Sequence, residues 1–186
     1  IAESVTKPLS FNRLSNILKS AGAVLGKQTV INYVGYMMDS YMLFTLQNYA
    51  AKLVEKETSP KYYFMDTGLL GLMLMDCSSA QLENLVAIEL IRRYGRENVF
   101  YFEKNVEIDF YVPEEKLAIQ VSLQVLDQID TREREIGAFV KLKNFIGDAT
   151  CLLITNSEEE ELDYEGVHVS VVPVWKWLLQ NRKQDI

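Results

Sequence analysis

The stretch that most constrains the fold is VEIDFYVPEEKLAIQVS, residues 106–122. Two runs rich in β-branched and aromatic residues flank Pro113-Glu114-Glu115-Lys116, so the segment predicts a β-hairpin with the two glutamates at its tip. A two-residue loop sets Asp109 opposite Gln120 and Glu107 opposite Ser122. Strict alternation then places these four side chains on one side of the sheet, and Ile108, Phe110, Ile119 and Val121 on the other. A slip of one residue would bury the acids and expose the apolar row, so the pattern supports this register.

The hairpin belongs to a longer run of alternating elements. ENLVAIELIRRYG, over 83–95, predicts a helix closed by Gly95, and Glu83 shares its face with Val86, Ala87 and Leu90. Strands are expected at 98–104, 106–112, 117–122 and 149–156, and a charged helix over about 130–144. The acidic SEEEELDYEG is expected as a solvated, mobile loop. A further strand at VHVSVVPV and a helix at WKWLLQN follow it. The order predicts an α/β domain over 79–186.

The first third reads differently. Ser10 is a suitable N-cap for a helix carrying Leu14, Ile17 and Leu18, with Gly22 as its stop. A second helix follows Gly26, with Val30, Val34, Met37 and Met38 near one face. Strands are expected at 42–49 and 61–66, joined by the polar AAKLVEKETSP. Helix, turn, helix and a two-stranded ribbon outline a winged-helix domain over 1–78, in which the second helix would meet a DNA groove. Lys27, Gln28 and Asn32 on that helix are the DNA-contact candidates, although Lys27 is its single cation. The Gly- and Ser-containing stretch 66–81 reads as the connector between domains.

Charge and cysteine usage narrow the chemistry. The net charge of −7 is uneven: residues 1–60 sum to +2 and residues 81–186 to −8. An acidic body disfavours strong nonspecific DNA binding, while the positive first third leaves local contact open. Cys77 and Cys151 lie far apart and His168 is the one histidine, so a Cys/His zinc site is not available. The pattern predicts two reduced thiols in a cytoplasmic protein. The longest apolar run, GLLGLMLM, is too short to span a bilayer, so no membrane partner is expected. The chain opens without Met, which suggests a piece of something longer.

Glu107, Asp109, Gln120 and the helical Glu83 form the candidate metal set, because hard oxygen ligands suit Mg²⁺. The same acids would equally serve as the solvated face of a half-exposed sheet.

KYYFMDTGLL, LENLVAIELIRR, VFYFEKNVEIDFYV and LAIQVS, in this order and spacing, closely resemble the C-terminal region of prokaryotic predicted AAA+ ATPases. In that family a P-loop ATPase module precedes a winged helix and a domain of unknown function similar to the PD-(D/E)xK nuclease fold. The resemblance runs from about residue 8 to the end and implies a restriction-endonuclease-like second domain. It makes Glu83 the helix acid, Asp109 the aspartate of the motif, and Gln120-Val121-Ser122 the (D/E)xK segment. The second acid and the lysine are absent, so the site reads as degenerate. Losing two such groups should cost heavily, since each is worth about 10²–10³ in rate. Lys104 or Lys116 would have to supply a migrated cation. The segment GAVLGKQT lacks the phosphate-binding spacing, so ATP is expected only in the ATPase module.

These readings predict a non-catalytic region of a larger ATPase that contacts DNA, another protein or its own ATPase module. The alternatives are a Mg²⁺-dependent deoxyribonuclease with an atypical site and a pure protein-interaction module.

Overall fold

The computed structural model describes residues 1–51, 59–126 and 129–180. The polar connection between the first two strands lies largely outside them. The N-terminal helices form as expected: α1 (Phe11–Ser20) begins where the Ser10 hydroxyl accepts from Arg13 N, and α2 covers Lys27–Asp39. The ribbon is β1 (Leu43–Asn48) paired antiparallel with β2 (Lys61–Phe64). The connector contains a short helix, α3 (Gly68–Met73). After it come α4 (Ser78–Tyr94), β3 (Phe100–Glu103), β4 (Glu107–Val112), β5 (Leu117–Val121) and α5 (Ile129–Ile146). The remainder is β6 (Thr150–Thr155), β7 (Glu160–Tyr164), β8 (Val167–Pro173) and α6 (Val174–Leu179).

All eight strands join one mixed sheet in the order β2-β1-β3-β4-β5-β6-β8-β7. The ribbon is therefore continuous with the main sheet, through a short parallel pairing of Gln47 with Phe100 and Asn48 with Tyr101. Helices cover both faces. Val86, Ala87 and Leu90 of α4 pack on Phe110 and Ile119 with Trp177 of α6. Ile136, Phe139 and Leu142 of α5 pack on Ala118, Leu153 and Val169 from the other side. Covered on both faces, β5 and β6 read as nearly unbroken apolar runs. A third cluster joins α1, α2 and α3 to Leu43, Tyr62 and Phe64.

The acidic run 157–166 departs from expectation. Glu160–Tyr164 is an edge strand, paired antiparallel with β8 and turning inward only at Leu162. One apolar residue among acids conceals a strand from periodicity, and charge along an exposed edge discourages pairing with other chains. Cys77 and Cys151 are free thiols. No helix among the described residues is long and apolar enough to cross a membrane.

Candidate functional site

The hairpin register is the expected one where the strands pair: Phe110 faces Ile119, Tyr111 faces Ala118 and Val112 faces Leu117. Lys116 N closes the turn on Pro113 O, with Lys116 at φ 48°. The alternation along β4, however, is broken. Phe100 pairs with Tyr111 but Phe102 with Ile108, so β4 carries one extra residue between those pairs. Ile108 consequently packs with Tyr111 and Ala118, whereas Phe110 packs with Ile119 on the opposite face. The single apolar row expected from strict alternation is split between two cores.

Gln120 closes the gap left by this bulge. Its Oε1 accepts from Asp109 N at 2.8 Å, and its Nε2 donates to Glu107 O at 3.1 Å. One acceptor and one donor are needed here, and an amide supplies both where a carboxylate cannot. Gln120→Glu would turn a carboxylate oxygen against the Glu107 carbonyl and add charge beside two acids. We expect it to lower the unfolding free energy by about 2–4 kcal/mol in urea denaturation at pH 7. An unchanged stability would show that the amide bonds do not hold the hairpin.

Glu83, Glu107 and Asp109 do come together, but around a group absent from the sequence-based set. Lys61 Nζ, on a side chain 1% exposed, lies 3.0 Å from Glu107 Oε1, 3.6 Å from Asp109 Oδ1 and 3.8 Å from Glu83 Oε1. The approach to Glu107 is that of an ion pair rather than of a directed hydrogen bond. Local sequence explains the placement. Lys61 and Tyr63 alternate onto one side of β2, and the Tyr63 hydroxyl donates to Glu83 Oε1 at 2.9 Å. A strap formed by residues 5–9 runs along the outer edge of β2. Thr6 N donates to Tyr62 O, Leu9 N donates to Pro60 O, and Pro8 bridges to Lys61. Thr6, at the left-handed φ of 68°, lies close enough to Glu83 to oppose the rise in its pKa. Beyond the strap, Asn84 accepts from Phe64 N and donates to Phe64 O, which fixes α4 to the same strand.

The electrostatics follow from three carboxylates sharing one ammonium. Burial pushes the Lys61 pKa down, but the charges of Glu83, Asp109 and Glu107 outweigh it and hold the lysine above its usual value. Burial, then the Asp109 charge, raises Glu83 to about 8, against the opposing pull of Lys61, Tyr63 and Thr6. Asp109 is raised by burial, although Lys61 and the Val121 N–H oppose this. Asp109 Oδ2 accepts that N–H at 2.9 Å. Burial and mutual repulsion thus favour a proton shared among these acids.

Glu83, Glu107 and Asp109 line a cleft of about 640 Å³. Lys7 and Arg13 come from its N-terminal wall, and Arg134 and Lys141 from α5. Buried Glu135 sits beside them, ion-paired to Arg134 and sensitive to the Asp109 and Glu107 charges. Ser122 is not part of the cluster: its hydroxyl donates to Gln124 O. Lys104 stacks over the Phe145 ring and Lys116 sits in the exposed hairpin turn, so neither supplies the cation that Lys61 provides. Lys27, Gln28 and Asn32 are exposed on α2, where Gln28 donates to Asn32, and none of the three lines the cleft.

Comparison with known proteins gives similarity without an assigned activity. Residues 1–81 match a domain of unknown function, DUF8612. The chain is also 32% identical, over 181 residues, to an uncharacterised protein of the archaeon Methanocaldococcus jannaschii. That alignment covers 92% of this chain but only 41% of the relative, so the chain spans less than half of the relative's length. No solved structure matches it.

Proposed function

We propose that this chain is the non-catalytic C-terminal region of a larger AAA+ ATPase and that its cleft holds a nucleic-acid backbone. The observation that carries the reading is that four cations, Lys7, Arg13, Arg134 and Lys141, line the cleft together with its acids. Backbone phosphates are bound by such side chains without regard to sequence, and the released counterions drive the association. The non-catalytic part rests on the motif positions, since the Gln120 amide braces β4 and the Ser122 hydroxyl bonds a loop carbonyl. The ATPase part rests on the sequence resemblance, together with the large share of the archaeal relative that lies outside the aligned region.

Two other observations favour neighbouring readings. Leu14, Val34 and Met37 line an apolar groove of about 330 Å³ between α1 and α2, which suits contact with a protein, such as the ATPase module or another partner. A lysine among the acids also returns to the site one group that a Mg²⁺-dependent deoxyribonuclease requires.

The test is fluorescence anisotropy with labelled single-stranded and duplex DNA across a salt series, with and without Mg²⁺. We expect affinity that falls steeply with salt. In a variant with Lys7, Arg13, Arg134 and Lys141 all changed to Ala, the log–log slope should shrink by about one for each phosphate that is no longer neutralised. Absence of binding at low salt would overturn the DNA reading and leave the apolar groove as the contact surface. Mg²⁺-dependent cleavage lost in Asp109→Ala would replace the non-catalytic reading.

A further inference from the structure

A nuclease-like fold implies a divalent cation held between the helix acid and the strand acids. The residues of this chain do not fit one. Most of the oxygens such an ion would need already have partners. Asp109 offers Oδ1 to Lys61 and Oδ2 to Val121 N, and Glu83 Oε1 takes the Tyr63 hydroxyl and faces Lys61. The Gln120 oxygen receives Asp109 N. Among the described residues, no three Asp, Glu, His or Cys side chains are arranged to hold a metal. Mg²⁺ binds at about 2.0–2.1 Å from its oxygens in a near-octahedral shell. An ion meeting the three carboxylates at that distance would lie against the Lys61 ammonium.

We infer that Lys61 is the resident counter-ion of this cluster, a tethered cation standing where the fold would hold a divalent metal, and that it excludes Mg²⁺ and Mn²⁺ from the site. Three features support the exchange. The ammonium is almost wholly buried and meets all three acids within 4 Å. The strap pairs to Pro60, Lys61 and Tyr62 along the free edge of β2 and so fixes the backbone from which the ammonium reaches the acids. The charges also match. Replacing a divalent cation by an ammonium removes one positive charge, and a glutamine where the motif has an acid removes one negative charge. Gln120 is then part of the same exchange, and its amide is free to bridge the β4 bulge. The site's charge is set by the chain itself, independent of metal supply.

This inference deepens the non-catalytic reading, but its test contains no DNA, so the two can fail separately. Mn²⁺ binding is measured on the whole chain at neutral pH, by the loss of the free-ion electron paramagnetic resonance signal and by calorimetry. Wild type and Asp109→Asn should be indistinguishable, each showing at most weak surface binding. Lys61→Met should gain Mn²⁺ binding at one site per chain together with a rise in melting temperature on adding the metal. Both gains should vanish in Lys61→Met/Asp109→Asn. Wild-type binding that Asp109→Asn abolishes would overturn the inference, as would a folded Lys61→Met that gains no metal. If Lys61→Met does not fold, the comparison of wild type with Asp109→Asn decides alone.

Discussion

Lys61→Met is expected to lower the unfolding free energy at pH 7 by about 3–5 kcal/mol, the usual cost of leaving a buried charge without its partner. Methionine keeps most of the length and volume of the lysine stem, so little of this loss comes from a cavity. What it removes is the cation that meets Glu83, Glu107 and Asp109 within 4 Å, two of which are largely sheltered, with side chains 13% and 16% exposed for Glu83 and Asp109. The carboxylates then repel one another until they take up protons. That response makes the prediction specific. Glu83 and Asp109 already sit above their ordinary values, so at pH 5 they can neutralise, and the penalty should shrink. Urea denaturation of wild type and variant at pH 5 and pH 7 measures both quantities. An equal loss at both pH values would assign the effect to packing rather than charge. Glu83→Gln in the Lys61→Met background should recover part of the loss, because it removes one of the stranded acids; additive losses would argue that the two residues do not interact.

Most of the scaffold around this cluster is legible in the sequence, for physical reasons that can be named. The Pro-Glu-Glu-Lys turn between two β-rich runs sets the hairpin, and its pairing from Val112–Leu117 to Phe110–Ile119 is the one a short loop dictates. Helical spacing from Val86, Ala87 and Leu90, all three buried, puts Glu83 at the core edge. What escapes is information that local pattern does not contain. The bulge in β4 arises from pairing with β3, and its sequence trace is only Gln120, whose amide reads equally well as a weakened ligand. Lys61 opens KYYF, where period-2 reasoning sees an ordinary strand with a solvated first residue. Its burial depends on the strap and on acids that lie 22 or more positions further along the chain. One signal is present: a lysine and a tyrosine two apart on a strand share a face, and both side chains end on Glu83. The edge strand β7 is hidden because an outer strand with one covered residue, Leu162, needs no apolar periodicity.

Glu83→Gln should flatten the pH dependence of stability between about pH 4.5 and pH 8. Glu83 has an ordinary value of 4.5 and is raised to about 8 in the folded protein, first by burial and then by the Asp109 charge. A carboxyl whose pKa rises on folding is better protonated in the native state. Between the two values the native state binds more protons than the unfolded chain, so this contribution to stability is full below about 4.5 and is lost as pH rises towards 8. The sign is opposite to that of Glu89 and Asp148, whose values are lowered by their arginine and lysine partners and whose contributions grow with pH. The difference between wild type and variant isolates the Glu83 contribution, since those pairs are common to both. Glutamine resembles the protonated acid: its carbonyl accepts the Tyr63 hydroxyl and its amide takes no charge. We therefore expect the two proteins to be similarly stable near pH 5 and the variant to be the more stable at pH 8, by an amount on the order of a few kcal/mol. Urea midpoints taken at unit steps across this range measure it. A wild-type-minus-variant difference that does not change with pH would place the shared proton on another acid of the cluster, with Asp109→Asn the next variant to carry through the same series.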